Sequence, residues 1–358
     1  MKQLVLLKWG NEALNLYEII IKPKSGFGTP LKGDTIFGHF CWQAAHDSTL
    51  LNGGLGKWID AYKQKPFIVF SSAWPKFYDP DTGKARHAMK RPDLPLSVLF
   101  RSPEESRCMH IKERKENKKK KWMAIGEDLS LALSDLDYFS DKDLLNMAKR
   151  VATAEIRRQM RQQEKTEFCI SFNQPHNTIN RQTMTTGEGR FAPFSENTWF
   201  YYPETELAIF VLIDKSATSI ERVQYAMERI GQWGYGKDAS TGIGRFDLVG
   251  CDELDLPGDG SANACYTLAP VVPEKNTFFE TYFTPFIRFG KHGDRLALSR
   301  NPFKNPVVMA DEGAVFVPRD KALFERPYIG QGICGLSKSM PQTVAQGYSF
   351  YLPFKLEM

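Results

Sequence analysis

The chain has no apolar run near the ~20 residues that a membrane-spanning helix needs. Its opening stretch, Met1-Lys2-Gln3-Leu4-Val5-Leu6-Leu7-Lys8-Trp9-Gly10, is too short for a signal-peptide core and has no small-residue cleavage site, so a cytosolic, non-membrane protein is expected. The six cysteines (Cys41, Cys108, Cys169, Cys251, Cys265, Cys334) are scattered and form no C-x-x-C pair. That spacing argues against a zinc site or a disulfide framework and favours isolated buried thiols. Charge of one sign is not in great excess: the net charge of +5 does not by itself mark a nucleic-acid binder.

The basic residues are nevertheless unevenly placed. Lys112 to Lys121 is a basic run followed by Trp122, and Arg157, Arg158, Arg161 and Lys165 form a second cluster. Each is open to two readings, a solvated face or a polyanion contact. Aromatic content of 13% supplies rings for base stacking, although most aromatics in any chain belong to the core.

The densest chemical signal is Gly234 to Phe246, where four glycines share a loop with Lys237, Ser240, Thr241 and Arg245. Backbone N–H groups in such a loop can form an anion-binding nest, and the four side chains add donors suited to phosphate. A purely structural turn is the alternative. Nucleotide-cofactor motifs fit poorly. Gly236-Lys237 is followed by Asp238 rather than Ser or Thr, and the loop follows a helix and precedes a strand, the reverse of a P-loop or dinucleotide fingerprint. No cofactor is expected.

Leu14 to Lys22 reads as a strand, and Thr35 to Ala45 as a helix N-capped by Asp34. Phe67 to Ser71 is a further strand, followed by a charged insertion over about 75–167 with one helix, Asp141 to about Gln163. Phe168 to Phe200 reads as a long hairpin with a polar middle. Then come a strand (Leu207 to Ile213), a helix (Ser216 to Gln232), the glycine loop and a strand (Arg245 to Val249). Without the insertion this order is that of a β-α-β-β-α-β ferredoxin-like unit, the fold of RNA-recognition motifs. Leu254 to Ser261 is a linker candidate, and the strand-rich remainder reads as a smaller α+β domain over 262–358.

Several stretches carry a resemblance. They are Gly26-Phe27-Gly28-Thr29-Pro30-Leu31-Lys32-Gly33-Asp34, the glycine loop, Asn173 to His176 with Asn180 to Thr183, the run ending Lys120-Lys121-Trp122, Pro306 to Phe316, and Gln346-Gly347-Tyr348 with Leu352-Pro353-Phe354. Together they resemble the RAMP (repeat-associated) proteins of CRISPR systems, specifically the subunit of type III-A (Csm) effector complexes that caps the 5′ end of the guide RNA. A type III-D RAMP subunit shares much of the pattern.

The resemblance implies an α+β protein of two ferredoxin-like (RRM-like) domains, 1–253 and 262–358. The first would carry the insertion, a β-hairpin thumb (about 168–200) and the glycine-rich loop (234–244). It implies a non-catalytic subunit that holds the repeat-derived 5′ handle of the crRNA. Its partners would be that RNA, a large polymerase-like subunit and an adjacent backbone RAMP subunit. The RNA contacts implied are Lys24, Gly26, Gly28, Lys32, His176, Asn180, Arg181, Gly234, Gly236, Lys237, Ser240, Thr241, Gly242, Gly244 and Arg245, with Asn173, Asn180 or Gln182 as readers of base edges.

The rival reading is a metal-independent RAMP endoribonuclease that processes CRISPR precursors, which needs a general base and acid, often histidine. His39 and His46, seven positions apart, fall on roughly one helix face and are the candidates; His176 has no partner in sequence. Asp311 and Glu312, adjacent in an expected strand, would point to opposite faces and so make a poor metal pair.

Overall fold

A computed structural model describes residues 14–79, 82–100, 107–162 and 167–357. The opening stretch weighed above as a leader, and Lys165 of the second basic cluster, lie outside these residues.

The first strand, β1 (Asn15–Pro23), buries Leu16 through Ile21 without a break. Such a run fits a strand with both faces covered. A turn leads to α1 (Gly33–His46), α2 (Gly54–Ala61) and β2 (Ile68–Tyr78). The insertion is not a loose excursion. It supplies β3 (Ala85–Lys90), α3 (Leu96–Leu99), α4 (Arg107–Lys119), β4 (Lys120–Gly126), β5 (Tyr138–Ser140), α5 (Asp141–Val151) and α6 (Ala154–Gln162). The single helix expected from Asp141 breaks at Ala152. There the Thr153 N–H leaves the helical ladder for the Glu204 carboxylate at 2.7 Å.

The hairpin β6 (Cys169–His176) and β7 (Phe194–Tyr201) follows, then β8 (Glu206–Ile213), α7 (Ile220–Trp233) and β9 (Phe246–Leu254). Seven of these strands make one sheet in the order β5-β4-β3-β2-β8-β1-β9, antiparallel at every pairing. Helix α1 packs on β2 and the residue before it: the tilted rings of Phe37 and Phe67, and of Phe40 and Phe70, have centroids 6.1 and 5.7 Å apart. Helix α7 turns Val223, Ala226, Met227 and Ile230 inward, as its 3.6-residue period requires.

The remaining chain forms β10 (Ala264–Thr267), β11 (Phe278–Tyr282), β12 (Pro285–Arg288), β13 (Val307–Ala310), β14 (Val315–Pro318), β15 (Tyr328–Gly330) and β16 (Tyr348–Phe354). Five strands pair as β11-β14-β10-β16-β15, and β12 pairs with β13. Among the described residues from 262 onward the only helical segments are two short 3-10 turns, which corrects the expected helix-bearing α+β domain. What covers this sheet is the first sheet. Tyr266, Leu268, Phe350, Leu352 and Phe354 share one core with Ile19, Ile209 and Phe210.

The joint between the two sheets is polar and specific. Strand β2 bulges between Phe70 and Ala73. At the bulge Ser72 N–H donates to Leu268 O (2.9 Å) and Ala73 N–H to Leu31 O (2.9 Å). The buried Gln346 amide accepts from Phe70 N–H (2.9 Å) and donates to Phe70 O (2.7 Å). The thiols are not uniformly inside: Cys265 is buried, whereas Cys334 is exposed.

Gln346→Leu would leave both backbone groups of Phe70 buried and unpaired. We expect it to cost about 2–4 kcal/mol. A urea-unfolding midpoint unchanged from wild type would refute this account of the joint.

Candidate nucleic-acid interface

The glycine loop begins where α7 stops. Gly234 leaves the helix at φ 105°, and the chain turns back to enter β9 at Phe246. Two positions explain the glycine content. Gly244 has φ 78°, and a Cβ there would sit 2.1 Å from Tyr235 O. Gly236 has φ 75°, and a Cβ would come within 2.6 Å of the Thr29 side chain. No L side chain is accommodated at either.

The loop is clamped onto the turn between β1 and α1. Lys24 N–H donates to Arg245 O (2.8 Å), Gly244 N–H to Gly26 O (2.7 Å), and Arg245 N–H to Ser25 Oγ (2.8 Å). Lys237 N–H donates to Thr29 Oγ1 (3.0 Å), and the buried Tyr235 hydroxyl to Pro30 O (2.9 Å). Gly236 N–H donates to His39 Nε2 at 2.9 Å. Phe27 in turn exchanges backbone bonds with Trp199 of β7, at 2.8 and 3.0 Å. Three segments far apart in sequence thus meet on one surface.

This geometry revises the nest expected of the loop. The N–H groups of Tyr235, Gly236, Lys237, Gly244 and Arg245 are satisfied inside the protein. What the loop presents outward is side chains: Lys237, Ser240, Thr241 and Arg245 are exposed. Lys237 pairs with Glu196 of β7, and the exposed Lys24 with Asp247 at 2.6 Å. Arg245 has no carboxylate partner among the described residues.

Gly26 and Gly28 lie in the clamped turn, Gly26 buried and Gly28 against the Lys237 backbone; Gly234 is buried and Gly242 half-buried. The hairpin residues fall elsewhere. His176 pairs with Phe194 at the distal end of the ladder and stacks on it (5.4 Å, 17°). Beyond it Asn180 Oδ1 accepts from Gln182 N–H (3.0 Å), so this side chain shapes its own turn, while Arg181, Asn173 and Gln182 are exposed.

Lys32 is a correction. It is buried, and its ammonium lies on the carboxylates of both Asp311 and Glu312, with Glu312 oxygens at 2.7 and 2.8 Å. It has no free face for RNA. Asp311 and Glu312 occupy the turn between β13 and β14, not a strand, so both side chains reach one cation. Burial, together with the neighbouring Asp311 charge, pushes the Glu312 carboxyl up to about 7 against the pull of Lys32. Asp34 does not cap α1 either: the N-cap is Lys32, and Asp34 holds the Arg288 guanidinium at 2.6 and 2.8 Å.

The two histidines weighed for catalysis sit in different settings. Burial, assisted by the Lys304 charge, lowers the His39 pKa to about 4, and its Nε2 is occupied as an acceptor. His46 is exposed and stacks on Trp42 at 6.0 Å. Thr29, His39, Glu196 and Trp199 belong to the site but carry no local sequence signal, because each acts through a partner remote in the chain.

No protein-family model matches the chain, and no curated protein matches it in sequence. Solved structures do. One is a Csm1-Csm4 cassette in complex with cA4, with TM-score 0.52 and 15% identity over 96% of this chain and 99% of the other. Another is the same cassette with pppApA, with TM-score 0.51, 16% identity and the same coverage. A third is the Csm3-Csm4 subcomplex in the type III-A CRISPR-Cas interference complex, with TM-score 0.52 and 12% identity over 96% and 100%. Csm4 is the component common to them. The chain has the Csm4 fold. At these identities what is shared is the architecture, a mixed α+β chain with antiparallel sheets aligned over nearly its whole length.

The clamp has a pH signature. A histidine with a folded pKa of about 4 against the ordinary 6.5 favours the native state fully above pH 6.5. That contribution is lost as pH falls through about 4, where a proton on Nε2 displaces the Gly236 bond. Stability measured between those limits should fall more steeply for wild type than for His39→Gln, which retains an acceptor without titrating. Parallel curves would refute this.

Proposed function

We propose that this chain is a non-catalytic RNA-binding subunit of a type III CRISPR effector complex. It holds the repeat-derived 5′ handle of a crRNA and joins a large polymerase-like subunit to the adjacent backbone subunit. The observation that carries the reading is the meeting of the β1–α1 turn, the glycine loop and β7, with exposed phosphate donors on the joined surface. Single-stranded RNA is held by basic groups tracking the phosphates, supplemented by stacking on unstacked bases. Residues 1–253 are read as a ferredoxin-like unit, supported by the order β9-β1-β8-β2 with α1 and α7 as its helices. The β6–β7 hairpin serves as its thumb.

The binding reading is favoured over the ribonuclease because His39 is committed to the loop as an acceptor, and His46 stacks on Trp42 at the exposed end of α1 rather than beside His39. Lys24 and Lys237 sit in exposed ion pairs, which contribute little to stability and exchange readily for phosphate. Arg245, without such competition, carries the largest share of the contact.

Assembly has a candidate surface as well. The β12–β13 pair exposes Ile287 (50%) and Val308 (65%), which face each other across the ladder, and the connection between the two strands exposes Phe289 (75%) and Phe303 (69%). Apolar area of this density on one hairpin suits a protein contact. The Csm4 chains of the neighbouring structures are seated with Csm1 and with Csm3, and we assign the equivalent subunits as this chain's partners.

Two measurements test the proposal. Binding of handle-length single-stranded RNA should weaken with rising salt, and Arg245→Ala should make the log–log slope shallower by about 0.7. An unchanged slope would remove Arg245 from the interface. Ile287→Lys with Phe289→Asp should leave RNA binding intact and abolish co-purification with one of the two partner subunits. Retention of both would reject this face as the contact.

A further inference from the structure

The outer row of α7 carries a feature that the loop does not use. Tyr225, Arg229 and Trp233 follow one another at four-residue spacing, which stacks them along one side of the helix. The Arg229 guanidinium lies 5.5 Å from the Tyr225 ring centroid and 4.8 Å from that of Trp233. Both rings are half open to solvent, 50% and 55% exposed. Arg229 is fixed from outside the helix by Asp47, at 3.4 Å, just beyond the end of α1. The row is therefore a rigid ring–cation–ring ladder rather than three independent surface residues. Its last member, Trp233, is the residue immediately before Gly234.

We infer that this ladder is a stacking platform for unpaired bases of the RNA strand held by the glycine loop. The inference rests on the RNA-binding reading of that loop. A half-exposed indole stiffened by a guanidinium offers the flat, sequence-tolerant surface on which bases stack. The strand's phosphates would lie along the Lys237–Arg245 side, because Glu221, one turn before Tyr225 on the same row, and Glu228, on the neighbouring row, repel them. A ladder of Trp, Arg and Tyr also suits a protein hot spot. Continuity with Lys237, Ser240, Thr241 and Arg245 favours RNA.

The test uses the full chain and a fluorescein-labelled single-stranded RNA of about 12 nucleotides, read by anisotropy at several salt concentrations. Trp233→Ala should weaken binding roughly 5- to 100-fold with the salt slope unchanged, and Trp233→Phe should restore most of it. On an abasic strand of the same length, which keeps the phosphates and lacks the bases, Trp233→Ala should have no effect. Equal weakening on both strands would show that the ring merely supports the loop, and would overturn the platform. So would wild-type affinity in Trp233→Ala, including the case where the variant loses only a protein partner. Wild-type binding that Arg245→Ala weakens and Trp233→Ala does not would leave the loop reading standing and this one refuted. No binding by wild type would remove both.

Discussion

The turn between β1 and α1 is the constraint on which the rest of the structure depends. Its outer half bonds the glycine loop through Lys24, Ser25, Gly26 and Thr29, and the hairpin through Phe27. Its inner half, Leu31 and Lys32, bonds the bulge of β2 and the β13–β14 turn. One short segment therefore joins the candidate RNA surface to the seam between the sheets. Lys32 is the costly part of that joint. Withdrawing an ammonium and two carboxylates from water is unfavourable, and the mutual attraction offsets it only while the ammonium stays with them. Removing Lys32 would strand buried carboxylate charge, a loss of about 3–5 kcal/mol in comparable cases, whereas removing one carboxylate leaves a balanced pair. The cluster thus enforces one relative placement of α1 and the C-terminal sheet more than it adds stability.

That placement explains why the glycine loop is shaped as it is. Its glycines are required by the closeness of Tyr235 O and Thr29, protein contacts, and several of its amides are spent on those same contacts. A loop organised this way gives up direct backbone contacts to an anion and gains rigidity. Side chains on a rigid loop lose less entropy when a ligand arrives than side chains on a mobile one. The His39–Gly236 bond contributes to that rigidity, so the imidazole acts as a brace for the loop.

How much of this was legible in the sequence follows from range. The mostly apolar, β-branched-rich run Leu14–Lys22 and the period of Val223, Ala226, Met227 and Ile230 are local signals, and they locate β1 and α7 to within a few residues. The strands of the insertion are not legible in sequence because β4 opens with Lys120-Lys121 inside a charged stretch that carries no clean alternation. Asp311-Glu312 reads as strand, although the next residue is Gly313, a residue type that marks turns and here takes φ 88°. That signal was available. The burial of Lys32 was not, since its carboxylate partners lie some 280 positions away. Nor could the sequence separate a backbone nest from a braced loop: the same glycines serve both, and only the position of Thr29 and His39 decides.

The electrostatics of the joined surface follow from the same packing. Glu196 and Asp247 stand beside Lys237 and Lys24 because β7 and β9 are tied to the turn at Trp199 and Arg245. A surface basic enough to hold RNA without such carboxylates would bind any polyanion with comparable strength. If this surface holds RNA as proposed, partial neutralisation lowers the non-specific term while leaving Arg245 unopposed, so more of the affinity must come from contacts with a definite geometry. Stacking and base-edge contacts are of that kind, and they are what discriminates a fixed-sequence strand from bulk RNA. On the proposed RNA-binding reading, the acidic residues at this site are thus part of its selectivity, set in place by the fold that also restrains the loop.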